Sequence, residues 1–481
     1  FGQNRHRDAY DHDGDGYSEM PKLKNQTVGF RSFLKTSTYS KLTFEYHHLQ
    51  EFRRGGNMLN RPPHEADIAE QIQHSINGGG LKFDYFAPNE KHRLTLYTSA
   101  QHTDRDSYYG SKKDLNAYGK TTDLTFIGGS QYVYSFDKCL FMPADLTAGL
   151  EYNRDNLKDD MWGYNRYTRQ TVNIGSAFFQ NEWKNEKWSI LLGGRLDKHN
   201  LINHVIFSPR ANLRFNPTQD VNLRLSYSSG FRAPQAFDED LHIENVGGTV
   251  SMIERAKNLK EEKSQSFSAS ADIYHRFGAF QVNFLVEGFY TKLSDVFVLE
   301  NIGVRDGILI KERRNGSGAK VLGLSMEGKM AYLSLFQLQA GVTLQQSRYD
   351  EPEKWSETAP AQKKIFRTPN TYGYFTATYT PVKPLSVSLS GTYTGSMLVQ
   401  HMAGYIKNDI AVNTRDFFDM GVKLAYDFKL YKTIDLQLSA GVQNVFNAYQ
   451  NDFDQGVERD SGYIYGPAAP RSYFTGVKIS Y

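Results

Sequence analysis

The last eleven residues, Arg471–Tyr481, constrain this chain more than any other stretch. Tyr473, Thr475, Val477, Ile479 and Tyr481 fall on one face; Ser472, Phe474, Gly476, Lys478 and Ser480 fall on the other. A period of two is a strand. One face is aromatic and aliphatic, and the other is small or polar, with Phe474 as the exception. Ending on an aromatic side chain beside a free carboxylate does not suit a buried core strand. It suits a strand whose apolar face meets lipid and whose end sits at the headgroup layer. Arg471, Tyr473, Phe474 and Tyr481 are therefore expected in a barrel-closing strand, and the rest of the chain should repeat its pattern.

Reading for period two gives about 19 strands, many near the ~10 residues a tilted membrane strand needs. Lys41–Phe52, His92–Gln101, Thr122–Phe136, Thr171–Trp183, Lys187–Asp197, Gln281–Thr291, Asp416–Phe428 and Ile434–Val445 are clear cases. No long stretch has a dominant helical period. Short turns, such as Ala87–Lys91 and Lys184–Glu186, alternate with long polar connections. The long ones are Arg53–Glu65, Asp104–Lys120, Arg154–Gln170, Arg232–Glu262, Phe297–Lys320, Arg348–Phe366, Met397–Arg415 and Ala448–Pro470. Short turns on one rim and long loops on the other describe an outer-membrane barrel. No blade motif recurs every ~40–50 residues, as a propeller would require. The expected fold is all-β: one transmembrane antiparallel β-barrel domain over residues 1–481.

Composition agrees. A mean hydropathy of −0.57 and 39% hydrophobic residues look soluble, but only alternate residues of such a strand meet lipid. Tyr and Phe number 31 each against 4 Trp, which suits aromatic girdles. A net charge of +3 gives no case for nucleic acid. The lone Cys139 rules out an internal disulfide and a cysteine metal cluster, and reads as an apolar spacer near a turn.

If the last strand descends to the short-turn side, the first clear strand, Thr27–Leu34, descends too. An odd count cannot close a single-chain bacterial barrel with both ends on one side. At least one ascending strand is therefore expected upstream, with residues 1–24 as the tail of an extracellular loop. Phe1-Gly-Gln-Asn carries no signal-peptide features.

Asp11-His-Asp-Gly-Asp-Gly-Tyr-Ser-Glu19 is the sharpest local motif. Asp11, Asp13, Asp15 and Glu19, with Gly16 for the turn, match the first nine positions of an EF-hand-type loop; Lys22 stands where a bidentate Glu would end it. Calcium is the expected ion, in a structural role, set against a solvated acidic turn. Arg53, Arg54, Tyr108, Tyr109, Trp162, Tyr164, Tyr167, Trp355, Tyr405, Tyr463 and Tyr465 fall in the long loops. They could form a vestibule that stacks on a planar ligand and binds its charges; the plainer reading of each is loop packing. His47, His48, His64, His74, His242 and His401 are scattered. Asp238-Glu-Asp240 reads as a solvated face. No nucleophile elbow appears, so no catalytic site and no organic cofactor are expected. Gly78-Gly-Gly80 lacks a following Gly-Lys-Ser/Thr and reads as relief for close packing or a bend.

Three segments carry a resemblance. Gly230-Phe-Arg-Ala-Pro234, followed by acids, resembles G-F-R-A-P-x(n)-E-L. Asn258-Leu-Lys-Glu-Glu-Lys-Ser264 resembles N-L-K-P-E-x-S, with Glu261 in place of Pro. Asn444-Val-Phe-Asn-Ala-Tyr449, then Pro470-Arg471 and the terminal Tyr481, resembles N-L-F-D-x-x-Y, P-G/R-R and an aromatic end. In that order they are similar to the TonB-dependent outer-membrane receptors. The resemblance implies a 22-strand barrel around a plugged lumen, with the plug and the first strands outside this chain, in the bacterial outer membrane. It implies energised uptake of a metal-bearing nutrient, cobalamin or a ferric siderophore. Haem or glycan receptors of the family, a passive porin and a barrel hydrolase are the alternatives. The implied partners are the TonB complex acting through the plug, a small metal-chelate ligand and membrane lipid, with a surface lipoprotein as a further candidate. The acidic loop resembles the calcium-binding outer loops of the cobalamin branch.

Overall fold

The computed structural model describes residues 1–241, 244–246, 249–431 and 433–481. Among them, 21 strands form one sheet in which every pairing is antiparallel. From Gly2–Arg7 to Ser472–Ser480 the wall strands pair in chain order. One member is only three residues long, Gln362–Lys364 beside Phe336–Glu353. Such a meander satisfies backbone groups between strands, as a hydrocarbon surrounding demands.

The alternation read from the sequence is the alternation of the two faces. Phe44 and Tyr46, Leu124 and Phe126, Leu223 and Leu225, and Leu424, Tyr426 and Phe428 are exposed, each spaced by two. The other face is polar and cross-linked: Arg195 donates to Glu151 and to Asp197, both at 2.7 Å, and Ser176 donates to Asp197 at 2.6 Å. In the last strand Tyr473, Val477 and Ile479 are 75%, 69% and 67% exposed, as expected of a lipid-facing row. Arg471 and Tyr481 flank this strand rather than belong to it. Phe474 sits on the inner face, opposite Gly441. A Cβ at 441 would lie 2.4 Å from its ring, so the exception is a phenylalanine laid over a glycine. Gly78 likewise makes room for the His47 ring, 2.5 Å from where a Cβ would stand.

Two expectations are corrected. Residues 1–24 are not a loop tail: Gly2–Arg7 pairs with Leu23–Val28, and Ser18–Ser37 is a single 20-residue strand. Only residues 8–17 leave the ladder, pinned by a bridge between Tyr10 and Met20. The polar run Gly-Gln-Asn-Arg-His-Arg has no apolar alternation, so nothing local marked it. It supplies an ascending strand within this chain. It pairs only with Ser18–Ser37, and Ser472–Ser480 only with Ile434–Gln443, so the two lie at the edges of the described sheet.

The wall strands also run further than expected. Tyr118–Cys139 has 22 residues and His92–Ser111 has 20, about twice the ~10 that cross a bilayer. They project past the membrane on the long-connection rim. Arg53 and Arg54 are therefore strand residues in Ser40–Gly56, and Tyr108 and Tyr109 are strand residues in His92–Ser111. The four buried apolar clusters among the described residues all lie at this rim. Water is excluded there rather than along the wall.

Candidate ligand vestibule and acidic loop

Two long connections, 233–261 and 295–318, build a second sheet of Glu244–Val246, Thr249–Arg255, Ile308–Asn315 and Phe297–Arg305. Its central pair is parallel, from Ser251 opposite Leu309 to Arg255 opposite Arg313. Neither loop can make that pairing alone. The sheet reaches wall strands far from its own: Met252 and Ile310 pack with Tyr109 and Met161.

Buried charges hold the loops in place. Arg313, 3% exposed, donates to Asp240 at 2.5 and 3.0 Å and to Glu239 at 2.8 Å. Arg166 reaches the Asp240 carbonyl at 2.5 Å and the Asp159 carboxylate at 3.4 Å. Arg105 bonds Asp238 at 2.7 Å. Asp238–Asp240 is thus a solvated face only in part: Asp238 and Glu239 are exposed, but the segment is where loop arginine and wall arginines meet. Asp238 itself stays exposed, while Asp240 is buried.

A cavity of 590 Å³ opens between this loop sheet, the wall near Ile68–Glu70 and Tyr109, and the segments around residues 349–367, 400–402 and 460–462. Tyr109, Phe297, Tyr349, Trp355 and Phe366 supply aromatic surface, Lys311, Lys354 and Arg367 supply cations, and Glu70 and Glu353 supply carboxylates. Arg367 donates to the Ile464 carbonyl at 2.9 Å, tying the cavity to the 448–470 loop. Asp460 also lines it. Its carboxylate accepts the N–H groups of Met402 and Gly462 at 2.9 and 2.8 Å, and burial pushes its pKa up.

Of the aromatic and basic residues expected in a vestibule, Tyr109 and Trp355 line this cavity. The rest are placed otherwise. Arg53 pairs with Glu51 at 2.6 Å. Arg54 is buried and donates to the carbonyls of Gly55 and Asn57. Tyr108 packs with Ala66, Ala69 and Ala117, and its hydroxyl reaches the Asp114 carbonyl at 2.9 Å. Tyr164 donates to the Asp114 carboxylate. Trp162, Tyr167 and Tyr405 are each more than half exposed. Tyr463 and Tyr465 both donate to Asp452, at 2.9 and 2.5 Å; burial first, then that carboxylate, pushes both phenols up. Tyr463 also stacks on His401 at 3.7 Å, and His401 bonds Asp454 at 2.9 Å. His242 lies outside the described residues. Lys311 and Arg367 carried no local signal, whereas Phe297 and Phe366 stood at the ends of long connections.

In the acidic loop, ligand oxygens of Asp11, Asp13 and Asp15 all lie within 4.8 Å of one another. Glu19 is not in this group. One of its oxygens takes the His12 N–H at 2.6 Å, and the other takes Arg459 at 2.7 Å. That pairing joins residues 440 positions apart in sequence. The loop docks on residues 449–459: the Gly456 N–H reaches Asp15 at 2.7 Å, Gln455 reaches Asp13 at 3.3 Å, and the His12 ring lies 4.0 Å from that of Tyr449. Loops beside the first and last strands of the sheet therefore meet.

A family model described as "TonB dependent receptor-like, beta-barrel" matches residues 4–445. The chain belongs to the TonB-dependent receptors, a family of outer-membrane β-barrels. Its fold is similar to that of the siderophore receptor PirA from Acinetobacter baumannii, at TM-score 0.77 and 15% identity, covering 100% of this chain and 74% of that one. It is similar to the ferric-catecholate import receptor Fiu from Escherichia coli K12, at TM-score 0.69 and 12% identity, covering 100% and 76%. It is also similar to a mutant ferric enterobactin receptor PfeA from Pseudomonas aeruginosa in complex with enterobactin, at TM-score 0.75 and 15% identity, covering 100% and 75%. No curated protein matches the chain in sequence.

Proposed function

We propose that this chain is the barrel of a TonB-dependent importer that captures a ferric siderophore at its outer mouth. The observation that supports this most is the 590 Å³ cavity, where Tyr109, Phe297, Trp355 and Phe366 meet Lys311 and Arg367. Aromatic faces take up planar chelating groups, and cations offset the charge of an anionic iron complex. Similarity to siderophore receptors points the same way. Capture falls to the loops, and the wall holds them and separates the polar lumen from lipid. Release inward rests on a plug pulled by TonB, and the barrel performs no chemistry on its cargo.

Calcium is part of the proposal. Three carboxylates with converging oxygens suit a hard divalent cation, which takes oxygen ligands. Asp11, Asp13 and Asp15 would hold it, and its charge would offset their mutual repulsion. That would fix residues 8–17 against Gln455 and Gly456. The same acidic loop favours a second reading, cobalamin as cargo, because it orders the 448–470 segment that borders the cavity.

The test is ligand binding by the full-length receptor, with a ferric catecholate and with cobalamin, each with and without calcium. Tight binding of the ferric catecholate, weakened by Trp355→Ala, is expected. Binding of cobalamin alone, and only with calcium, would establish the second reading.

A further inference from the structure

On the outer face of the wall, near the long-loop rim, basic residues stand directly opposite one another on four neighbouring strands. Lys292 pairs in register with Lys320, Lys320 with Arg348, and Arg348 with Lys364. All four are exposed. They share the lipid-facing side, because the residues two positions below them, Tyr290 and Leu322, are exposed apolar groups in the same register. Paired strands lie ~4.8 Å apart, and like charges directly opposite repel. Among the described residues, Asp350 is the carboxylate that pairs with the row, at 2.7 Å from Lys320. These four cations, with Lys363 beside them, thus face one carboxylate at the depth where a barrel leaves the hydrocarbon.

Two hollows flank the row. A small one of 150 Å³ is lined by Lys320, Arg348, Asp350 and Lys363. Below it, on the same face, an apolar groove of 1170 Å³ runs between Leu225, Phe267, Leu324 and Leu344. The groove exists because Ala269 and Gly288, paired in register, stand between leucines on either side.

We propose that this surface binds a phosphorylated glycolipid of the outer leaflet, with its phosphate on the Lys292–Lys320–Arg348–Lys364 row and its acyl chains in the groove beneath. Charge and shape commit to one occupant. A free phosphate would use the cations and leave the groove, and a hydrocarbon tail alone would use the groove and leave the cations. Phosphate on lysine and arginine makes charge-assisted bonds, and its negative charge offsets repulsion within the row that the fold alone leaves standing. The inference rests on the outer-membrane placement with long loops outside. It is independent of which cargo the receptor takes.

The test uses full-length receptor in detergent, with glycolipid retention read by native mass spectrometry. The probes are bisphosphorylated lipid A, the same lipid with its phosphates removed, and inorganic phosphate. The bisphosphorylated form should be retained, and the dephosphorylated form and inorganic phosphate should not. The variant Lys292→Gln, Lys320→Gln, Arg348→Gln, Lys364→Gln should lower retention on the order of a thousandfold. Lys292→Arg, Lys320→Arg, Lys364→Arg should keep it. Heat-modifiable mobility on gels verifies folding: a glutamine variant that fails to form a barrel is replaced by the pair Lys320→Gln, Arg348→Gln, with about a thirtyfold loss expected. Equal retention by folded glutamine variants, or equal retention of dephosphorylated lipid, overturns the proposal. A wild-type chain that does not form a heat-modifiable barrel would instead refute the membrane reading itself.

Discussion

Replacing Arg313 with Met should release the loop sheet from the mouth. Arg313 is buried, and its guanidinium holds Asp240, itself 5% exposed, through two bonds at 2.5 and 3.0 Å. Removing one partner of a buried ion pair leaves the other charge uncompensated, which costs ~3–5 kcal/mol. The bond to Glu239 adds little, because that carboxylate is 57% exposed. At ~1.4 kcal/mol per tenfold, the pinned-to-released ratio of the sheet should fall by about a hundredfold to a few thousandfold. Hydrogen exchange reads this directly, since local opening has its own free energy. Amides of Thr249–Arg255 and Ile308–Asn315 should exchange faster by that factor, while wall strands such as Tyr118–Cys139 keep their protection. The double variant Arg313→Met, Asp240→Leu should recover part of the loss, because it removes the stranded charge. Unchanged exchange in the single variant, or a double variant as poorly protected as the sum of both singles, would refute the argument.

Other outcomes follow from the same geometry. Adding calcium should protect residues 8–17 and 453–459 from exchange, a chelator should reverse this, and Asp11→Asn, Asp13→Asn, Asp15→Asn together should abolish it; an equal response in that variant would remove the ion from the loop. Gly441→Ala places a Cβ 2.3 Å from the Val422 carbonyl and 2.4 Å from the Phe474 ring, so it should destabilise the last strand pair by ~1–3 kcal/mol, seen as a lower urea midpoint in micelles. Burial raises the Asp460 pKa, so its protonated form is the one the fold favours. That contribution is full below the ordinary carboxyl range and is lost as pH rises through the raised value. Proteolysis of the 448–470 loop should therefore accelerate with rising pH, and Asp460→Asn should flatten the profile. Trp355→Ala should weaken ferric-chelate binding about tenfold, the scale of one lost aromatic contact, without shifting the urea midpoint.

What could be read from the sequence is what each residue decides with its immediate surroundings. Tyr473, Val477 and Ile479 announce lipid because the solvent itself alternates across a strand, and no distant partner is needed. The Asp11–Asp15 spacing is equally local, and its oxygens do converge. Glu19 looked like the next ligand by the same spacing, yet its partner Arg459 lies on a loop 440 residues on. Gly2–Arg7 failed for the opposite reason: its six polar residues are a strand only because Leu23–Val28 lies beside them. Asp240 shows how far position in sequence can mislead. Beside Asp238 and Glu239 it reads as solvated, and only the meeting of two separate loops brings Arg313 onto it. The cavity is built from such meetings, with Lys311, Arg367 and Asp460 each delivered by a different connection. A wall specified locally and a mouth specified by distant pairs have different tolerances. Lipid-facing residues can exchange for others of like polarity, whereas a change at Arg313, Arg459 or Asp240 strands a buried partner. Variation in cargo is therefore open to loop residues that line the cavity without a buried ion pair, Trp355 and Phe366 among them. The charges that hold the loops in place are much less free to change.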